Sequence, residues 1–247
     1  MNIQQIRNAT LVVEYAGKIP IRSNVGRDRD LPPFPNSARQ DQKNPLVSLP
    51  TSVDKIINHV DTVIVTHLHL DHFDEAAQKI LPKDIKMFVQ NEADAEEVRN
   101  ARFQNVEVLI EETVFEGIQL IKTRGEHGRG EILKLAGEVC GVVFKHQNEK
   151  PLYVAGDTVW YVAVQEEIDT HQPEIIVVDG GNNQFFEGGS LIMGKEDIYE
   201  TYKAAPHAKI IVSHMEAVNH WEGYLFMHLI RLRSFHFETL RDEGKHK

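Results

Sequence analysis

The spacing of apolar residues changes character several times along the chain, and each change marks an element. Apolar side chains alternate with polar ones across residues 3–6 and again at Leu11, Val13 and Tyr15, up to Gly17. A period of two belongs to a strand, whose successive side chains point to opposite faces, so a β-hairpin is predicted. Residues 26–52 have no period; Gly26, Pro32, Pro33, Pro35, Pro45 and Pro50, with charges between them, predict a long surface loop. The unbroken apolar run Thr62, Val63, Ile64, Val65 predicts a short buried strand, and residues 73–81 read as a helix that Pro82 stops. Strands are then expected at 85–89, 106–110 and 118–123, with a helix over 91–102. Apolar runs at 132–135, 139–144 and 152–155, broken by Gly137 and by the polar stretch 147–150, suit an antiparallel meander. Alternation resumes with a helix over 159–168, a strand at 175–178, a helix over 196–204 and a strand at 210–213. Phe226, Leu229, Leu232 and Phe235 recur at helical spacing and predict a closing amphipathic helix. Each half supplies strands and helices, so two sheets packed face to face between helices are the expected architecture.

Composition narrows the classes this chain can belong to. Its 247 residues are 41% hydrophobic, enough to bury one sizeable core, and a single domain over 1–247 is expected. A formal charge of -10 argues against nucleic acid as a partner, since phosphate binding relies on clustered Lys and Arg. A small-molecule substrate is the expected partner, with a homo-oligomer left open. No apolar stretch approaches the ~20 residues of a membrane helix, and residues 1–5 lack the order of a signal peptide. No membrane partner and a cytoplasmic location are therefore expected. Cys140, the single cysteine, lies in the apolar run 139–144 and is expected to be a buried, unreactive thiol.

Candidate chemistry is concentrated where the run 62–65 feeds the helix at 73–81. His67, His69, Asp71 and His72 follow Thr66 there, three imidazoles and a carboxylate within six positions. Residues two apart at a strand end share a face, so His67 and His69 can reach one metal ion at about 2.0 to 2.1 Å. Asp71 and His72 turn with the chain and suit a second ion. The carboxyl ends of strands are also where open α/β sheets place ligands.

His-x-His-x-Asp-His after an apolar strand resembles the signature of the metallo-β-lactamase superfamily, and later blocks occur in that family's order. Thr123-Arg124-Gly125-Glu126-His127-Gly128 presents a histidine in a glycine-rich turn; Gly156-Asp157-Thr158 presents an aspartate after an apolar run; His214 directly follows the run 210–213. The resemblance implies an α/β (α+β) chain folded as a four-layer αββα sandwich that holds two divalent metal ions, zinc or manganese. It places His67, His69 and His127 on one ion and Asp71, His72 and His214 on the other, with Asp157 bridging. A metal-bridging hydroxide would be the nucleophile, and Asp71 and His214 the catalytic side chains. His220 competes with His214 for the last position; His214 is preferred because it directly follows the strand. Glu216, Asn219 and His220 then become candidates for the substrate pocket.

The blocks 157–161, 192–197 and 214–220 look like those of bacterial hydrolases related to ascorbate-6-phosphate lactonase. They imply a small anionic ester or lactone as substrate, a sugar-phosphate lactone among them. The alternatives are a phosphodiesterase or nuclease on the same scaffold, a flavin-partnered di-iron oxidoreductase, which usually has glutamate where this chain has His69, and a catalytically impaired metal-binding homologue. One segment departs from the family pattern: the family's second hairpin strand normally ends in an apolar-Asp-Pro sequence whose aspartate supports the ligands, whereas residues 18–25 contain no aspartate. Codons compatible with residues 18–31, read one nucleotide out, can spell Lys-Phe-Leu-Phe-Asp-Pro-Met-Leu-Ala-Glu-Thr-Gly-Thr-Tyr, which restores the pattern.

Overall fold

The computed structural model describes residues 1–22, 25–34, 39–185 and 189–219. Its first half contains β1 (Asn2–Arg7), β2 (Thr10–Glu14), β3 (Pro20–Arg22), α1 (Val53–Ile57), β4 (Thr62–Val65), α2 (Glu75–Ile80), β5 (Lys86–Val89), α3 (Glu92–Asn100) and β6 (Asn105–Val108). These six strands form one sheet in the order β1-β2-β3-β4-β5-β6, antiparallel up to β3 and parallel from β3 onward. The second half supplies β7 (Thr113–Phe115), β8 (Ile118–Arg124), α4 (Leu133–Ala136), β9 (Cys140–Lys145), β10 (Leu152–Val154), α5 (Val162–His171), β11 (Ile175–Asp179), β12 (Gln184–Phe185), β13 (Gly189–Ser190), α6 (Lys195–Ala204) and β14 (Lys209–Ser213). Its sheet runs β14-β11-β10-β9-β8-β7, with β12 and β13 as a separate small hairpin.

Three apolar layers explain why some strands alternate and others are apolar throughout. Leu11, Val13, Ile64 and Phe88 of the first sheet meet Leu120, Val142, Val154 and Val177 of the second between the sheets. Val63, Val65, Met87 and Val89 point the other way, onto Ala77 of α2 and Ala95 and Val98 of α3. Ile176 and Val178 likewise point outward, onto Val164 and Ile168 of α5 and Ile198 of α6. A strand covered on both faces has no polar side, so all four residues of β4 are buried. The result is the expected αββα sandwich, and each side chain buried in it contributes roughly 1.5–3 kcal/mol.

The structure departs from the sequence expectations in a few places. The run 132–135 is not a strand: a 3₁₀ turn at Gly130–Ile132 leads into α4. Four residues are too few for period two to be told from period 3.6, and it is Ile132 and Ala136, one helical turn apart, that pack on Leu191 and Ile192. The helix expected from 159 begins at Val162, because residues 157–161 form the turn that carries Asp157 and Thr158. Nor is the loop at 26–52 wholly superficial. Arg7 donates to the carbonyls of Gly26 and Val47, while Asn44, fully buried, exchanges hydrogen bonds with Asn219. The helix expected from Phe226, Leu229, Leu232 and Phe235 lies outside the described residues.

No period marks β3, although the family pattern puts a strand end in this segment, at the place where its aspartate is missing. The three residues of β3 are all buried, Pro20 being tolerated as the first residue of the strand. Beside it a void of about 20 Å³ remains between the sheets, lined by Leu11, Val13, Pro20, Arg22, Ile64 and Val142 among others.

Candidate metal centre

The site is built on loops that leave the carboxyl ends of β4, β8, β10 and β14. After β4 the chain folds back at once, the amides of His72 and Phe73 both donating to the His69 carbonyl at 2.9 Å. That turn separates the paired His67 and His69 from Asp71 and His72. It is anchored by Asp74, whose carboxylate caps α2 at Ala77 N and also accepts from Gly26 N, each at 2.7 Å. His214 leaves β14 in the left-handed region, at φ 56°. Its carbonyl lies so close to Gly181 that a Cβ there would sit 2.2 Å from it, which explains why glycine occupies that position.

These loops bring all seven expected ligands together. The donor atoms fall into three groups, His67/His69/His127, His67/His72/Asp157 and Asp71/His72/His214, each with its atoms within 4.8 Å of one another. Asp157 Oδ2 is the centre, 3.1 Å from His72 Nε2, 3.5 Å from His214 Nε2 and 4.0 Å from the Nε2 atoms of both His67 and His127. Asp71 Oδ2 stands 3.0 Å from His214 Nε2 and 3.8 Å from His72 Nε2. His220 lies outside the described residues, and Asn219 is turned into the loop that holds Asn44.

The chemistry of this set fits a divalent cation. His67 Nε2 and Asp157 Oδ1 are buried without a hydrogen-bond partner, a costly arrangement that a metal ion would relieve. The His127 ring lies with Nδ1 3.0 Å from the Leu191 carbonyl, which holds the proton on Nδ1 and leaves Nε2 free as a ligand. Burial, reinforced by His72, lowers the pKa of His67 well below the ordinary imidazole value, and burial lowers that of His127 too. Both are thereby kept in the neutral form that ligates. Burial raises the Asp71 and Asp157 carboxyls, but the imidazoles of His72 and His214 outweigh it and bring both well below the usual range. Burial lowers His214, yet Asp157 and Asp71 overcome it and hold this imidazolium up to about 9. Cys140 is buried nearby, its thiol pushed up to about 12 by burial, as expected of an inert cysteine.

Sequence reasoning missed the residues beneath the ligands. Asp179, at the end of β11, and Arg22, at the end of β3, form a buried ion pair at 2.9 Å. Asn8 Nδ2 reaches Asp71 Oδ2 at 3.5 Å, and Asn183 Nδ2 lies 3.4 Å from His214 Nδ1. An aspartate closing an apolar run was a readable signal for Asp179; three residues of β3 offered no period from which to place Arg22. A cavity of about 350 Å³ opens over the site, lined by the polar His69, Asp71, His127, Asp157 and Asn183 and by the apolar Phe34, Leu68, Leu70, Leu135, Ala136 and Leu191.

Fold and site together define a protein class. A family model described as the beta-lactamase superfamily domain matches residues 31–215. The chain belongs to the metallo-β-lactamase superfamily, among its metal-dependent hydrolases. It is 68% identical over 223 residues to the UPF0173 protein YddR of Bacillus subtilis, covering 90% of this chain and 88% of that one. An isothiocyanate hydrolase from Delia radicum gut bacteria is similar at 42% identity and a TM-score of 0.85, over 90% of this chain and 88% of that one. A protein of Veillonella parvula, described as a possible metal-dependent hydrolase, is similar at 36% identity and a TM-score of 0.86, over 89% and 87%. Among the described residues no helix is long and apolar enough to cross a membrane.

Proposed function

We propose that this protein hydrolyses small, uncharged, largely apolar electrophiles, with organic isothiocyanates as the substrate class. The lining of the cavity carries this reading. Six of its named walls are apolar, and among the described residues that line it none is Lys or Arg. Among the described residues a phosphorylated lactone finds no Lys or Arg side chain to pair with its phosphate, whereas an uncharged substrate needs none. The similarity to an isothiocyanate hydrolase supports the same reading.

His67, His69 and His127 would hold one ion, with Asp71, His214 and Asp157 offering ligand atoms beside it. A divalent ion held there supplies the positive charge that makes water nucleophilic at neutral pH. The apolar walls orient the organic group and exclude bulk water from the reacting carbon. In the reaction the oxygen of water bonds to the central carbon of R–N=C=S and a C=N electron pair moves to nitrogen. Asp71, which lines the cavity, would take the proton and return it to that nitrogen. The remaining O–H proton of the thiocarbamic acid then passes to nitrogen as the C–N bond breaks with its electron pair on nitrogen, giving the amine and carbonyl sulfide.

The test is a panel of benzyl isothiocyanate, an uncharged lactone, a sugar-phosphate lactone and a phosphodiester, offered to the zinc- and manganese-loaded protein. Benzyl isothiocyanate is expected to turn over fastest, and Leu191→Arg, which narrows and charges the cavity, to raise its KM. Turnover of the sugar-phosphate lactone with none of the isothiocyanate would overturn the proposal.

A further inference from the structure

We infer that Arg22 sets the metal stoichiometry of this chain, holding it at one tightly bound ion. The inference rests on the ligand reading above. Arg22 Nη2 lies 2.9 Å from His72 Nδ1. A guanidinium can only donate, so Nδ1 must accept, and the ring proton is left on Nε2. The other end of the ring agrees: Nε2 is 3.1 Å from an Asp157 carboxylate oxygen, which accepts. His72 is thus held in the tautomer whose Nε2 cannot ligate. A metal-binding histidine ordinarily donates its second N–H to a carboxylate or carbonyl, and here the partner is a cation that has nothing to accept with.

The charge balance points the same way. With the histidines neutral, as metal binding requires, Asp71, Asp157 and Asp179 with Arg22 leave the buried cluster two negative charges, which one divalent ion cancels. A second ion would sit uncompensated beside a fixed guanidinium 3.6 Å from Asp157 Oδ1. With aspartate at position 22 the cluster would carry four negative charges, which two ions cancel, and His72 would regain an acceptor for its Nδ1 proton. Nor is Arg22 fully accommodated by its surroundings, since its Nε and Nη1 are buried without partners.

His72 therefore is a ligand in waiting, and Arg22 the positioning residue that withholds it. Chelated, dialysed protein should be titrated with zinc alone, calorimetrically and by metal analysis, as wild type, Arg22→Asp and Arg22→Met. Wild type is expected to take up one ion tightly and a second about 10 to 100-fold more weakly. Arg22→Asp is expected to bind two tightly, and ¹⁵N NMR of metal-free wild type to show His72 as the Nε2–H tautomer. Arg22→Met keeps the side-chain volume without the donors; it should tighten the second site even if Arg22→Asp fails to fold. Two equally tight ions in wild type, an Nδ1–H His72 in the metal-free protein, or an unchanged second site in a folded variant would overturn the inference. Should wild type and His127→Ala alike bind no ion, the ligand reading itself fails, a result distinct from all of these.

Discussion

At the scale of single residues, the site is a balance between burial and charge around one oxygen atom, Asp157 Oδ2, which has four imidazole nitrogens within 4.0 Å. Removing the metal leaves that balance exposed to pH. Because His214 has its folded value raised to about 9, its stabilising contribution is complete below the ordinary imidazole value near 6.5 and is lost as pH rises through about 9. Asp71 and Asp157 have lowered values, so their contribution is present above the ordinary carboxylate value and fades in acid. Thermal unfolding of chelated protein should therefore show Tm falling between about pH 6.5 and 9. His214→Gln should flatten that limb; an unchanged slope in the variant would refute the role given to His214. Gly181→Ala offers a steric test at the same place. The added methyl meets the His214 carbonyl, so a loss of about 1–3 kcal/mol by chemical denaturation is expected, together with weaker zinc binding.

At the scale of elements, the ligand-bearing turn after β4 depends on a residue that binds nothing. Asp74 caps α2 and ties Gly26, whose own carbonyl accepts from Arg7. Asp74→Ala should cost about 1–2 kcal/mol for the cap alone and more for the released loop, measured by urea unfolding. Elements with a long or unbroken apolar signal were legible in the sequence: β4 falls at Thr62–Val65 as expected, and β5, β9, β11, β14, α3 and α6 lie within two residues of expectation. Some short ones were not: the run 132–135 predicts a strand where α4 forms, and no period marks β3, although β4 and the three residues of β10 stand where an unbroken apolar run puts them. β3 is also where sequence and fold agree least. In the one-nucleotide-shifted reading leucine would replace Pro20 beside the void, and aspartate would replace Arg22 against His72. Resequencing the coding DNA checks that reading; a sequence that admits no such shift establishes Arg22 as the encoded residue.

At the scale of the whole molecule, two half-sheets present their carboxyl-end loops to one edge of the sandwich, and the site exists only where both halves meet. The seven candidate ligands were legible because chemistry and order in the chain specify them together, one block after each of four strands. The cavity was not legible, because its apolar lining of Leu68, Leu70, Leu135 and Leu191 is assembled from segments far apart in sequence whose leucines look like any others. That lining supports the proposed uncharged electrophile as substrate. The most direct measurement is the turnover of benzyl isothiocyanate by the same sample before chelation, after chelation and after reloading with zinc or manganese. Activity that vanishes on chelation, returns on reloading, and falls by more than about 100-fold in His127→Ala is the predicted result. Turnover that survives chelation, or that His127→Ala leaves intact, would contradict it.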